Sequence, residues 1–238
     1  MTSAAVRILF LAVTSNAHAS FHLMRITEVL GQYHGDPRIQ CVELQMTSPG
    51  QNFVQGHKLV FQDAAGAKTG EVTFGSNVAS SAAGSNILVG TAAFATAFGV
   101  AVDLVLPEGL LPPYSGRVCF DTSSIDCVAY GAFTGSNTNF GTPAAGFPVD
   151  GGESLTLLSV TPPGPGRNNS QNYAFRPPTP KNNAGLAGTV PPHACFVTDP
   201  LNNMSKWDQP TEGAGLDLNS CGTPAALDIG FADAAGGV

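Results

Sequence analysis

Gly116-Arg-Val-Cys-Phe-Asp-Thr-Ser-Ser-Ile-Asp-Cys-Val-Ala-Tyr-Gly131 is the stretch that decides the fold class. Two short apolar runs, Val118–Phe120 and Cys127–Tyr130, flank a polar loop, and each run carries a cysteine. The pattern reads as a β-hairpin stapled by a Cys119–Cys127 disulfide. Closing so short a loop stabilises the folded chain by roughly 2–3 kcal/mol in the chain-entropy model. Disulfides persist in oxidising compartments. The expectation is therefore an all-β, extracytoplasmic protein, and nothing in the hairpin specifies a reaction.

Composition points the same way. Charged residues make up 11% of the 238-residue chain, while glycine (28) and proline (18) are abundant. That balance suits short strands and many turns rather than long helices. The net charge is −7, and only ten Lys and Arg are spread through the chain. A nucleic-acid partner is not expected, because phosphate binding needs clustered cations. No apolar run after the N-terminus approaches the ~18 residues needed to span a bilayer. Residues 1–19 read as a signal peptide, with Arg7, the apolar run Ile8–Val13 and the small-residue site Ala17-His18-Ala19. Cleavage near Ala19–Ser20 would release a secreted or cell-surface protein. A buried first strand or a misassigned start codon is the alternative for this segment.

Strand signals recur at short intervals from there. Met24–Val29 comes first, then Ile39–Met46, with Val42, Leu44 and Met46 on one face and Cys41, Glu43 and Gln45 on the other. This period-two alternation marks a half-buried strand. Lys58–Gln62, Glu71–Phe74, Ile87–Val89, Val102–Leu106, the two hairpin runs and Ser154–Leu158 follow. Turn clusters such as Ser48-Pro-Gly50, Asp63-Ala-Ala-Gly66 and Asp150-Gly-Gly152 lie between them. Many short strands with regular turns predict a sandwich or barrel. Thr91–Gly99 breaks the pattern: it is alanine-rich, and Phe94 and Phe98 share one helical face. Thr91 is a natural N-cap and Gly99 a natural terminator, so a two-turn helix plugging one end of the sandwich is expected. Prolines at 162, 163, 165, 177, 178 and 180 bracket an Asn-rich stretch and predict an extended surface strap. Residues 189–238 read as a loop-rich extension, tied by a second disulfide between Cys195 and Cys221.

Five cysteines leave one unpaired. Cys41 sits in a strand-like run and reads as a small buried hydrophobe. No nearby cation is present to make it a nucleophile.

Several runs resemble a lamin-tail domain. Ile26-Thr-Glu-Val29, Val42-Glu43-Leu44 and Gly56-His-Lys-Leu59 are similar to that family's first three strand motifs. Ile87-Leu-Val89 with Phe94 is similar to its middle. Gly116–Gly131, Gly141-Thr-Pro143, Gly152-Glu-Ser-Leu155 and the segment Asn168–Gly185 are similar to the later part of secreted bacterial members. The resemblance spans about Leu23 to Gly185. His57 stands where the family usually has Trp, and Cys41 where it usually has an aromatic. The resemblance implies an immunoglobulin-like β-sandwich over residues 20–188. It carries no catalytic residues, and Glu43, which repeats in the strand motif, is expected to lock neighbouring backbone by hydrogen bonding. A filament role does not follow, since heptads are absent.

Catalytic patterns are sparse. There is no G-x-S-x-G elbow; Ser154 lies in a predicted strand. His22, His34, His57 and His193 show no metal-ligand spacing. Glu28, Glu43, Asp103, Glu108 and Glu153 do not mark a glycosidase pair. No cofactor is expected. Calcium is the one ion left open, on Asp121 and Asp126 in the hairpin loop or on Asp217 with Asn219, against the simpler reading of loop caps. Asn168-Asn-Ser170 and Asn203-Met-Ser205 match the glycosylation triplet, which matters only in a glycosylating host. Tyr114, Tyr173 and Trp207 are candidate binding contacts, with simple packing the commoner role for each. The expectation is a secreted, non-catalytic sandwich that binds a protein or glycan at the cell surface. The alternatives are a secreted hydrolase or its accessory module, and a structural envelope component that assembles through sheet edges or Cys41.

Overall fold

The structure is a computed structural model that describes residues 23–121, 125–149, 151–160 and 167–191. Its elements in chain order are β1 (Met24–Leu30), β2 (Cys41–Met46), β3 (Lys58–Gln62), β4 (Lys68–Thr73), β5 (Asn86–Gly90), α1 (Ala92–Phe98), β6 (Leu104–Val105), β7 (Gly116–Phe120), β8 (Asp126–Tyr130), β9 (Ser154–Leu157), α2 (Asn169–Asn172) and β10 (Tyr173–Arg176). They form a six-stranded sheet, ordered β10-β9-β1-β2-β5-β6, and a four-stranded sheet, ordered β4-β3-β7-β8. Every strand pair is antiparallel except β5 with β6. The all-β sandwich expectation is met at this level. No helix among the described residues is long and apolar enough to cross a membrane.

The sandwich core lies between the sheets. The six-stranded sheet contributes Met24, Ile26, Val29, Val42, Leu44, Met46, Ile87, Val89 and Leu155; the other contributes Leu59, Phe61, Val118, Phe120, Val128 and Tyr130. In β2 and β3 the inward residues follow the period-two pattern. In β1 they do not, because the register with β2 slips between Ile26 and Glu28. This bulge lets Ile26 and Val29 both face the core and turns Glu28 outward, opposite Glu43. An unbroken alternation would have aimed the Glu28 carboxylate between the sheets, at a desolvation cost of several kcal/mol.

The helix forms where expected. Thr91 Oγ1 accepts from Phe94 N, and Gly99 closes the C-terminus with φ 61, in the left-handed region. Its location differs from the expectation. Phe94 and Phe98 stack on each other and join Leu30, Tyr33, Cys41, Leu88 and Val100 in a second apolar cluster. Cys41 and Leu88 point away from the sandwich core, so α1 covers the outer face of the six-stranded sheet instead of plugging an end. β5 needs this cover because its apolar residues are buried on both faces.

The proline-bracketed segment also differs from a plain strap. It contains α2, capped by Asn168 accepting from Ser170 N, and an edge strand, β10, paired with β9. Beyond β10 the chain crosses the outer face of the six-stranded sheet. Thr179 N donates to both oxygens of Glu28, and Lys181 N donates to Glu43 Oε2 at 2.7 Å. Glu43 thus locks neighbouring backbone, as expected.

Candidate functional site

An open groove of about 600 Å³ runs over the outer face of the four-stranded sheet. Its floor follows from strand periodicity. Leu59 and Phe61 turn inward on β3, so Lys58, Val60 and Gln62 turn outward. The β3–β7 register places Cys119 beside Val60 and Arg117 beside Gln62. One wall is β4, through Lys68 and Glu71; the other is the segment carrying Ser136, Thr138 and Asn139; Asp121 closes one end. The middle of the floor is apolar, made of Val60 and the disulfide. The rim carries hydroxyl, amide and charged groups, and the volume falls within the range of small-ligand sites.

The charges of the groove are arranged unequally. Lys58 Nζ and Lys68 Nζ share one carboxylate oxygen, Glu71 Oε2, at 2.9 and 2.7 Å. Arg117 is 5% exposed. Its Nη1 donates to Ser136 O at 2.6 Å, its Nη2 lies 3.1 Å from Cys127 Sγ, and its guanidinium carbon sits 5.8 Å from the Phe140 ring centre. Arg117 has no carboxylate partner among the described residues, and its buried Nε has no acceptor. Burial lowers its hold on the proton, but a guanidinium remains charged at neutral pH. Asp121 Oδ2 is 2.9 Å from His57 Nδ1.

The expected site residues fare differently. Asp121 and Asp126, the weak calcium candidates, are engaged by different partners: Asp121 by His57, and Asp126 by two arginines. Asp126 is 1% exposed. Its Oδ2 accepts from Arg25 Nε at 3.0 Å and Ile26 N at 2.8 Å, and its Oδ1 accepts from Arg167 Nη1 at 3.0 Å. With guanidiniums on both oxygens, the carboxylate is already neutralised. Among the described residues no group of three or more His, Cys, Asp and Glu converges as a metal cage. Tyr173, a candidate contact for which packing was the commoner role, is buried, and its hydroxyl donates to Ile26 O at 2.6 Å. It fastens β10 to β1. Tyr114 is exposed. Trp207 and the Cys195–Cys221 pair lie outside the described residues. Cys41 is free and fully buried, and burial with the nearby Glu28 and Glu43 pushes its thiol well above the usual range. Such a thiol is neither a nucleophile nor a bridge to a second chain without unfolding.

The groove cations Lys58, Lys68 and Arg117 were not singled out from the sequence. Alternation in β3 and β7 indicated which side chains face outward. Only the sheet order puts those two strands side by side, with β4 on the far side of β3.

Glu28 and Glu43 form a second polar feature, opposite each other and buried, under the Thr179–Lys181 crossing. Desolvation, then the Glu28 charge, raises Glu43 to about 7; desolvation also raises Glu28. Every oxygen accepts a protein hydrogen bond, from Thr27, Thr179 or the Lys181 backbone, so the pair serves the fold. No family model, curated protein or solved structure matches the chain.

Proposed function

We propose that the chain is a secreted, non-catalytic module with a lamin-tail-like, immunoglobulin-like sandwich, and that it binds a glycan or protein at the cell surface. The observation that carries this reading is the groove over the four-stranded sheet. It is open to solvent and pre-built on regular strands, and it presents Gln62, Ser136, Thr138 and Asn139 around an apolar floor. Sugars are recognised by such pairings of planar hydrogen-bonding groups with apolar patches. The Cys119–Cys127 disulfide supports an oxidising compartment.

The test is an array of cell-wall glycans and a cell-surface pull-down with the full chain. Retention is expected, and Val60→Trp, which fills the groove floor without entering the core, should abolish it. Retention unchanged by that substitution would remove the groove from the account.

One observation favours the hydrolase alternative. A carboxylate hydrogen-bonded to an imidazole is how a general base is oriented, and Asp121, which closes one end of the groove, holds His57 in this way. Turnover of a polysaccharide or ester that disappears in His57→Ala would establish this reading in place of the first.

A further inference from the structure

We propose that the groove takes an acidic oligosaccharide, seating a sugar carboxylate between Lys58, Lys68 and the Arg117 edge of the floor. The inference rests on the glycan-binding reading above and names its ligand class.

Charge is the first argument. The chain carries 17 acidic and ten basic residues. The groove reverses that balance: Lys58, Lys68 and Arg117 face it, against Glu71 and Asp121. Glu71 alone cannot neutralise both lysines that share its oxygen. Arg117 is a buried guanidinium with no carboxylate at all among the described residues. A buried cation without a counter-ion is costly, and an anion in the groove would offset that cost.

Geometry is the second argument. The Val60 and Cys119 floor suits the apolar face of a sugar ring. Gln62, Thr138 and Asn139 line the groove around it with amide and hydroxyl groups. An acidic peptide fits less well. It would look for a free strand edge or deep side-chain pockets, whereas this groove lies over the face of β3 and β7, both paired on each side.

Titration calorimetry of the full chain distinguishes these ligands. The probes are a galacturonic acid trimer, a neutral galactose trimer and a short poly-aspartate peptide, each at low and moderate salt. The uronate should bind in preference to the other two, and more weakly as salt rises. Lys58→Gln with Lys68→Gln should weaken it about tenfold or more, the loss expected for charge-assisted hydrogen bonds. Both lysines are solvent-facing, so the unfolding midpoint of this variant should change little. Glu71→Gln should tighten binding several-fold by releasing both ammoniums, a gain that a purely structural role would not produce. Arg117 is left intact because it is packed under Phe140. Equal binding of uronate and neutral trimer, blocked by Val60→Trp, would overturn the acidic-ligand inference and leave the glycan reading standing. No binding of either sugar would overturn both. Tighter binding of poly-aspartate would replace the glycan with a protein partner. Unchanged affinity in Glu71→Gln would remove the lysines from the site.

Discussion

The Asp126 carboxylate holds Arg25 Nε and Arg167 Nη1 at 3.0 Å each, and Arg25 and Asp126 are both almost fully buried. It joins the hairpin to β1 of the opposite sheet and to the segment before α2. Asp126→Asn should cost about 3–5 kcal/mol, because it leaves Arg25 charged and buried without its counter-ion; urea unfolding measures this. Tyr173→Phe should cost about 1 kcal/mol, the net worth of one neutral hydrogen bond, in the same assay. The Cys119–Cys127 pair was legible in the sequence because its partners lie 8 residues apart. The role of Tyr173 was not, because its hydroxyl meets Ile26 O across a separation of 147 residues. A tyrosine in a proline-bracketed segment shows neither its face nor its partner until β10 is known to pair with β9.

Elements show the same division between local and distant causes. The helix was legible through its cap, its alanines and its terminating glycine, all within one short segment. Which surface it covers depended on Leu88 and Cys41, contributed by other strands. β10 was missed because prolines flank it, yet an edge strand needs pairing on only one side. The bulge in β1 was missed because alternation assumes an unbroken ladder. That bulge creates a measurable pH dependence by setting Glu28 against Glu43. Glu43 titrates near 7 in the folded chain against a usual 4.5. The folded state therefore binds its proton more tightly than the unfolded state. Stability from this group is full below about pH 4.5 and is lost as pH rises through about 7. The change is roughly 3 kcal/mol. Unfolding free energy should fall between pH 5 and pH 7.5, and Glu43→Gln should flatten that decline. For the hairpin, reduction or Cys127→Ser should lower stability by roughly 2–3 kcal/mol, read from urea midpoints with and without reductant.

At the scale of the molecule, two sheets close over one apolar core, and each also has an outer face. The outer face of the larger sheet is consumed by α1 and by the Thr179–Lys181 crossing, while that of the smaller sheet stays open as the groove. If the groove is the binding surface, Val60→Trp should remove ligand retention while leaving the urea midpoint nearly unchanged. The sequence by itself determined the features that depend on near neighbours: strand periodicity, turns, the capped helix, the stapled hairpin and the all-β class. Side-chain alternation and loop closure act over a few residues, so they can be read along the chain. Only the tertiary structure decided which strands stand side by side, and therefore that Asp126 is neutralised by two arginines and that Tyr173 is buried. It also decided that Lys58, Lys68 and Arg117 gather in one groove. These outcomes depend on sheet order and register, set by packing of the whole core, and no local stretch of the chain encodes them alone.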